Sequence, residues 1–419
     1  MSPTCNRRQW LTRIGAPALL SMSILPVARA EPAWTAIENR AKGQTVYFNA
    51  WGGAEPINAY IQWAGAEVLK RYGVKVEHVK VTDTADVVKR VRNEKAAGKT
   101  NGTVDLVWIN GENFLAMKRE GLLFGPFAES LPSYAKVDTQ GKPTTRLDFA
   151  EPTEGLEAPW GMAQLTFMVD GKRTPKPPQN LVELLAFAKA NPGRVTYPRP
   201  PNFHGTTFVK QVLVDVNANR SALYKPVTPE AFAQATAPLW SMLDQLHPHL
   251  WRAGKQFPQN AEAIRQMLAD GELQLALTFN PNDAANEIAA KRLPASTVSY
   301  QFSSGTIGNT HFVAIPVNAS AKEGAQVFAN FLLSPEAQAR KAHIAVWGDP
   351  TVLALDKLSA KERAAFAAKP MPGQVTRSAP AIPEPHGSWV DALGKLSGQD
   401  YEAAYAKLTP AQKAQLLND

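Results

Sequence analysis

The order of apolar and polar residues in the first 120 positions predicts a regular alternation of strands and helices. Two apolar, β-branched runs and one alternating run predict strands at residues 45–50, 104–109 and 74–80. Apolar residues at helical spacing predict helices at residues 57–71, 83–98 and 112–120. This β-α-β-α-β-α order is typical of a parallel sheet whose strands are connected by helices.

The same alternation continues towards the end of the chain. Further strands are expected at residues 165–169, 194–197, 273–279, 298–302 and 311–315. Further helices are expected at residues 181–190, 206–216, 229–246, 259–270, 283–291, 321–333, 335–343, 360–368 and 388–396, with a helical tail from Asp400. Residues 370–386 are rich in proline and are interpreted as a linker.

Two α/β halves in succession indicate two lobes, although a single large sheet would give a similar pattern. We expect the chain to leave the first lobe near residue 160 and to return to it near residue 308. The first lobe then consists of residues 31–160 and 308–419, including the C-terminal helices, and the second of residues 161–307. Short crossings of this kind are natural hinges.

Residues 1–30 have the layout of a secretory signal peptide. Arg7 and Arg8 precede an apolar stretch from Ile14 to Ala28, and Ala28-Arg29-Ala30 is a small-x-small cleavage site. The stretch is too short, and too interrupted by proline, to span a membrane comfortably. The arginine pair fits either a twin-arginine export signal or an ordinary basic start. We therefore expect a periplasmic protein that does not span the membrane once the signal has been removed.

Charge and cysteine usage change once residues 1–30 are set aside. The whole chain carries +8, and the signal contains four arginines and no acid, so the mature chain carries +4. This mild charge gives no argument for a nucleic-acid partner. The only cysteine, Cys5, lies in the signal, so no disulfide or lipid-attachment cysteine is expected afterwards. A composition of 44% hydrophobic and 20% charged residues is that of a globular protein.

Polar and aromatic residues follow the predicted strands, where ligands bind in parallel sheets. Trp51, Gly52 and Gly53 come after the first strand, and the two glycines would let a ligand approach backbone N–H groups. Comparable positions are held by Asn110, Glu112, Trp160, Gln164, Asn202, Thr206, Asn280, Asp283 and Trp347. Each of these residues could instead cap a helix, form a turn or pack in the core.

The residue types at these positions suggest the chemistry of the ligand. Trp51 and Trp160 are expected to stack on it, Glu112 to pair with a cation, and the remaining polar groups to form hydrogen bonds. Aromatic faces beside acids suit a cationic or flat organic molecule. That inference assumes that the loops converge in the folded chain.

The sequence argues against several kinds of catalytic and metal site. Gly98-Lys99-Thr100 resembles the end of a phosphate-binding loop, but Asn93 stands where the first glycine is required. No dinucleotide-binding glycine motif follows a strand, and there is no nucleophile elbow. His247 and His249 flank Pro248 and fit a surface turn better than a metal site. We expect no catalytic residue, no metal and no cofactor.

Long stretches of this chain resemble the periplasmic substrate-binding proteins of ABC importers, and in particular the YnjB-type branch, which is labelled as thiamine-type or spermidine/putrescine-type. The resemblance extends over residues 44–355. The segments that carry it are 50–53, 104–114, 152–161, 247–251, 278–281, 331–338 and 346–352. It implies a two-lobed α/β architecture of the type II periplasmic binding proteins, with a hinge and a ligand cleft between the lobes.

The resemblance also implies a function and a partner. We expect a monomeric solute-binding protein that captures a small organic ligand, thiamine-like or polyamine-like, and delivers it to ABC permease subunits. The alternative is an exported enzyme or a ligand sensor that uses the same cleft. Ligand identity does not follow from the resemblance, because function resides in the site rather than in the fold.

Overall fold

The computed structural model describes residues 33–367 and 369–397. The predicted signal peptide and the tail from Asp400 lie outside these residues. No helix within the described ranges combines the length and the apolar character needed to cross a membrane.

The predicted alternation at the beginning of the chain is confirmed. The elements are α1 (Ala33–Ala41), β1 (Thr45–Trp51), α2 (Glu55–Tyr72), β2 (Lys75–Val81), α3 (Thr84–Ala96), β3 (Leu106–Ile109) and α4 (Glu112–Arg119). Strand β1 lies between β2 and β3 and is parallel to both. The Asp83 side chain caps α3, and Gly73 ends α2 in the left-handed conformation that glycine tolerates best.

Two strands that the sequence did not predict complete the first sheet. They are β6 (Glu157–Gln164) and β11 (Ala381–Pro383), and both pair with β10 (Thr306–Ala314); β4 (Leu147–Asp148) and β5 (Glu151–Pro152) form a separate two-stranded sheet. Strand β10 is antiparallel to both β3 and β6 and parallel to β11. Strand β11 lies inside the segment expected to be a linker, and β10 begins at Thr306, five residues before the predicted strand.

Strand β6 was missed because Pro159 and Gly161 are unusual inside a strand. The register shows how they are accommodated. His311 is opposite Gly161 and Phe312 is opposite Pro159, so Trp160 is an extra residue in a β-bulge. A bulge redirects its side chain locally, and the ring of Trp160 points into the core of the first lobe.

The second lobe is built around a three-stranded sheet in the order β8-β7-β9, in which β7 is antiparallel to both neighbours. Its elements are β7 (Thr166–Asp170), α5 (Leu181–Ala190), α6 (Phe203–Val216), α7 (Pro229–Leu246), α8 (Ala261–Ala269), β8 (Ala276–Thr278), α9 (Asp283–Ala289) and β9 (Thr297–Tyr300). The predicted strand at 194–197 is not formed. Prolines follow at 198, 200 and 201, and proline cannot donate to a sheet ladder.

The last helices are α10 (Lys322–Leu332), α11 (Pro335–Ala342), α12 (Ala360–Ala364) and α13 (Ser388–Ser397). Helix α12 is shorter than the predicted helix at 360–368. Short 3-10 helices occur at Ala128–Ser130, Pro132–Lys136, Pro143–Thr145, Arg220–Tyr224, His247–His249, Trp251–Gly254 and Leu355–Lys357.

Two large hydrophobic cores correspond to the two lobes. The first contains Phe48 of β1 and Phe328 of α10, and the second contains Phe167 of β7 and Leu239 of α7. Trp389 of α13 is completely buried in the second core, although residues 308–419 were expected in the first lobe. Helix α13 in fact packs against α4 of the first lobe and α6 of the second.

The chain crosses between the lobes along adjacent strands. Residue Leu165 joins β6 to β7, and its N–H donates to the carbonyl of Ile307 at 2.8 Å. The N–H of Gln164 donates to the carbonyl of Phe279 at 3.1 Å, which places the end of β8 beside the same crossing. The loops that follow β1, β3 and β8 are therefore the natural places for a ligand between the lobes.

Candidate functional site

Strand β1 ends in a partly exposed tryptophan, Trp51, which lies against the turn that follows. The N–H of Gly52 donates to the carbonyl of Val81 at 3.1 Å, and Asn58 Nδ2 donates to the carbonyl of Gly52 at 3.0 Å. A Cβ on Gly53 would lie 2.3 Å from the ring of Trp51, so glycine is required for the ring to lie against the turn. Trp51 packs on the first core and keeps part of its surface exposed.

The turn after β3 presents an amide and a carboxyl. Gly111 has φ +62° and donates its N–H to Asp148 Oδ2 at 2.6 Å. Asn110 precedes it and is partly buried, and Glu112 begins α4. Because β1 and β3 are neighbouring parallel strands, the two turns lie at the same edge of the sheet.

Glu112 forms no ion pair within the described part of the chain, its side chain is partly buried, and Asn113 Nδ2 donates to its Oε1 at 3.3 Å. Desolvation raises the pKa of its carboxyl to about 7. The Lys210 ammonium opposes that shift, and the acids Asp391 and Glu384 add to it. A cation placed beside Glu112 would stabilise the ionised carboxylate.

The structure places Trp160 differently from the stacking position expected for it. Its ring is 0% exposed and lies among other aromatic side chains. The ring centroids of Trp108, Trp347 and Phe48 are 4.9, 5.5 and 6.2 Å away. Trp160 therefore supports the strand ends from the core. Trp347, also expected to contact a ligand, is 4% exposed and belongs to the same aromatic cluster.

A buried charged group lies beside this aromatic cluster. Asp349 Oδ1 is 2.9 Å from His311 Nε2, and Asp349 Oδ2 accepts a hydrogen bond from Lys341 Nζ. Burial favours a higher pKa for Asp349, but the Lys341 ammonium and the His311 ring outweigh it and hold the pKa below its ordinary value. A Cβ on Gly161 would overlap Asp349 and Lys341, so this group explains the glycine inside β6.

In the second lobe, the start of α6 contributes a capped helix end and an exposed ring. Asn202 Oδ1 accepts from the N–H of His204 at 3.0 Å, so this candidate acts as the N-cap. Thr206 is 8% exposed, which leaves it little surface for a ligand. Phe203 is 41% exposed and contacts Phe279 edge-on at 5.3 Å.

The loop after β8 is engaged by the first lobe. Asn280 Nδ2 donates to the carbonyl of Trp347 at 3.2 Å, and Asn286 Nδ2 donates to the same carbonyl at 2.7 Å. Asn282 Nδ2 donates to the carbonyl of Gly348 at 2.5 Å. These three amides attach α9 and the loop before it to residues 347–348.

Asp283 and Gln164, also expected at the site, are occupied by other contacts. Asp283 forms an ion pair with Arg265 at 3.0 Å. Gln164 Nε2 donates to the carbonyls of Ala379 and Pro380 at 3.2 and 3.1 Å, and so holds the C-terminal segment at the crossing. Both side chains therefore have structural partners in this conformation.

Sequence reasoning missed several buried groups near the strand ends. The partly buried Trp108 of β3, His311 of β10, Lys341 of α11 and Asp349 of the loop after α11 come from separate segments, and only the folded chain brings them together. Three of them had weak signals in the sequence: Trp108 is the large aromatic residue near the end of a predicted strand, His311 lies near a candidate loop, and Asp349 is the acid in the loop of Trp347. Among the residues described, no group of three or more histidine, cysteine, aspartate or glutamate side chains is arranged to hold a metal ion.

The chain is similar in sequence to known proteins. Residues 63–368 match the family described as bacterial extracellular solute-binding protein. Protein YnjB of Escherichia coli (strain K12) is 50% identical over 373 residues, covering 89% of this chain and 95% of YnjB.

Solved structures agree on the fold. An ABC transporter protein from Clostridium perfringens ATCC 13124 has a TM-score of 0.59 at 16% identity, covering 86% of this chain and 99% of its own. The spermidine/putrescine substrate-binding protein PotD from Streptococcus pneumoniae has a TM-score of 0.59 at 12% identity, with the same coverage. The expected two-lobed α/β architecture is thereby confirmed. The chain belongs to the family of bacterial extracellular solute-binding proteins.

Proposed function

We propose that this protein captures a small organic ligand that carries a positive charge, a flat ring or both, and delivers it to ABC permease subunits. One observation carries this proposal. The partly exposed ring of Trp51 ends β1, and the carboxyl of Glu112, which forms no ion pair among the described residues, follows the neighbouring parallel strand β3 at the same edge of the first sheet. Cations bind favourably both to carboxylates and to the faces of tryptophan rings.

The ligand classes that fit this chemistry are thiamine-like and polyamine-like molecules. A thiamine-like ligand would use both features, since it is flat and cationic. A polyamine-like ligand would use the carboxyl chiefly. PotD of Streptococcus pneumoniae, which shares the fold, is a spermidine/putrescine binding protein. Its similarity to this chain concerns the fold and leaves both classes open.

We propose that contacts come from both lobes. Trp51, Gly52, Gly53, Asn110 and Glu112 would bind from the first lobe, and Asn202 and Asn280 from the second. The remaining candidates would shape the site from behind; they are the buried Trp160, Thr206 and Trp347 and the partly buried Gln164 and Asp283. Ligand would bridge the lobes and shift an open–closed equilibrium towards the closed form, which docks on the permease.

We also propose where the protein is located and in which oligomeric state it acts. We propose that the signal at residues 1–30 directs the chain to the periplasm and is removed there, by either export route considered above. We propose that residues 31–160 and the segment that returns at residue 308 form the first lobe, and that residues 161–307 form the second. We propose a monomer whose activity is capture rather than turnover.

A thermal-shift screen of the mature, refolded protein tests the proposed function. Thiamine, its phosphates and polyamines should raise the melting temperature if they bind, while sugars and oxyanions serve as comparison classes. A hundredfold excess of ligand over its dissociation constant stabilises a protein by about 2.7 kcal/mol. A shift produced only by sugars or oxyanions would contradict the proposed ligand chemistry.

Replacing Trp51 by alanine should weaken binding of the ligand found in that screen by about 1–3 kcal/mol, because a stacked aromatic face is lost. Isothermal titration of both proteins measures the difference. Trp63→Ala is the matched control, since Trp63 is also a partly buried tryptophan on the first core but lies within α2. Equal affinity of wild type and Trp51→Ala would remove Trp51 from the site.

A further inference from the structure

A buried ion pair next to Glu112 connects the two lobes. Lys210 of α6 lies 2.7 Å from Glu384, which follows β11, and both side chains are almost completely buried. The Lys210 ammonium also lies 4.2 Å from the ring centroid of Phe149, and Asn309 Nδ2 donates to Glu384 Oε1 at 3.2 Å. Lys210 thus reaches from the second lobe to groups that belong to the first.

Two further carboxyls lie nearby without enough partners. Asp148 and Glu157 are each 1% exposed. Asp148 Oδ2 accepts from the N–H of Gly111, but its Oδ1 and both oxygens of Glu157 have no hydrogen-bond partner among the described atoms. Desolvation raises the pKa of both carboxyls; the charges of Glu112 and Glu384 add to the shift of Asp148, and the charge of Asp148 adds to that of Glu157.

We define the carboxyl cluster as Glu112, Asp148, Glu157 and Glu384. The ionisable groups that influence it come from several elements around it: Lys210 from α6, Lys118 from α4 and Asp391 from α13. Lys118 is already paired with Glu151 at 2.8 Å. The one ion pair of the cluster among the described residues is that of Glu384 with Lys210, and desolvated carboxyls that repel one another cannot all be ionised together.

We propose that the carboxyl cluster retains at least one proton in the ligand-free protein near neutral pH, and that capture of a cation at Glu112 releases a proton to solvent. The second half of this inference rests on the proposed function, and the first half does not. Glu112 is the member with access to water, so the ligand meets the cluster there. The carboxylic acid O–H bond breaks, its electron pair stays on the carboxylate beside the ligand cation, and the proton passes to water.

The direction of the pH effect follows from this exchange. The pKa of Glu112 is raised to about 7, so below that value the ligand must displace a proton before it can pair with the carboxylate. Affinity for a cation should therefore rise about tenfold per pH unit below neutrality and level off above it.

Infrared spectroscopy of the ligand-free protein tests the first half. Buried protonated carboxyls give a carbonyl stretch separate from that of carboxylates, and this band should be present in wild type at neutral pH. Glu157→Gln and Asp148→Asn should each reduce it, while Glu129→Gln, an exposed residue of the same lobe, should not. Absence of the band in wild type at neutral pH would overturn the proposal.

Isothermal titration with thiamine and with spermidine tests the second half. Titrations in two buffers of different ionisation enthalpy, at about pH 6 and pH 8, count the protons released per bound cation. We expect net release and the affinity slope described above, retained in Glu129→Gln and flattened in Glu112→Gln. Binding without proton release would overturn the coupling. Failure of both cations to bind, with the infrared band present, would contradict the cationic ligand and leave the proton-holding cluster established.

Discussion

Replacing Asp349 by alanine should lower the free energy of unfolding by about 3–5 kcal/mol, because the fully buried Lys341 ammonium then loses its counter-ion. His311 would lose its partner as well. Urea denaturation at neutral pH, followed by tryptophan fluorescence, measures the change. Asp349 lies behind the strand ends in the core, so we expect any effect of the substitution on ligand binding to be a consequence of the lost stability.

The control for the buried pair is an ion pair of good geometry on the surface of the protein. Glu120 contacts Arg92 through two hydrogen bonds of 2.6 Å, but both side chains are well exposed. Glu120→Ala should cost at most about 1 kcal/mol. Replacing both members of the buried pair, as in Lys341→Met with Asp349→Ala, should restore part of the lost stability. An Asp349→Ala protein as stable as Glu120→Ala would contradict the assignment of a charged, buried pair.

The pH dependence has a definite sign. The pKa of Asp349 lies below its ordinary value of 3.8, so its carboxylate contributes its full stability above that pH, up to the alkaline range in which Lys341, whose pKa is lowered by burial, loses its proton. The contribution is lost as the pH falls through the folded-state pKa. The difference between wild type and Asp349→Ala should therefore persist at neutral pH and shrink only in strongly acid solution.

Replacing Trp160 by alanine should destabilise the ligand-free protein by about 3–5 kcal/mol, since a completely buried ring leaves a cavity in the first core. The neighbouring rings of Phe48, Trp108 and Trp347 would each lose packing contacts. Denaturant titration without ligand is the measurement. Trp160→Phe keeps most of the apolar volume and should cost clearly less.

The same variant separates a packing role from a ligand-stacking role. A ring that only stacked on a ligand could be removed with little loss of stability in the ligand-free protein. If Trp160→Ala has the same denaturation midpoint as wild type but binds ligand more weakly, that result would contradict a packing role for Trp160 and favour a stacking role.

Much of the fold could be predicted because its local signals agree with its packing. Helix α5 begins after Asn180, whose side chain accepts from the N–H of Glu183 at 2.9 Å, as its sequence position indicates. Apolar spacing located α2 and α10 for the same reason. Strand β6 could not be predicted, because Pro159 and Gly161 are tolerated only through a bulge and a buried charge that other segments supply.

The candidate site was predictable only in part. Trp51 and Glu112 follow apolar strands, and that position alone marks them as candidates. Burial is not visible in the same pattern, so Trp160 and Trp347 were grouped with them although both lie in the core. Lys210 and Glu384 meet across more than a hundred residues, and no local pattern indicates such a pair.

The C-terminal segment has a consequence for the mechanics of the molecule. Gln374 contacts Asn282 of the second lobe, β11 runs beside β10, Gly387 bonds to Phe149 of the first lobe, and α13 returns to the second core. Within the described residues, the C-terminal segment therefore adds at least one connection to the two strand crossings between the lobes. Attachments that lie side by side resist twisting of one lobe relative to the other and leave bending about one axis as the easy motion. We therefore expect the lobes to open and close about that single axis when the ligand enters and leaves.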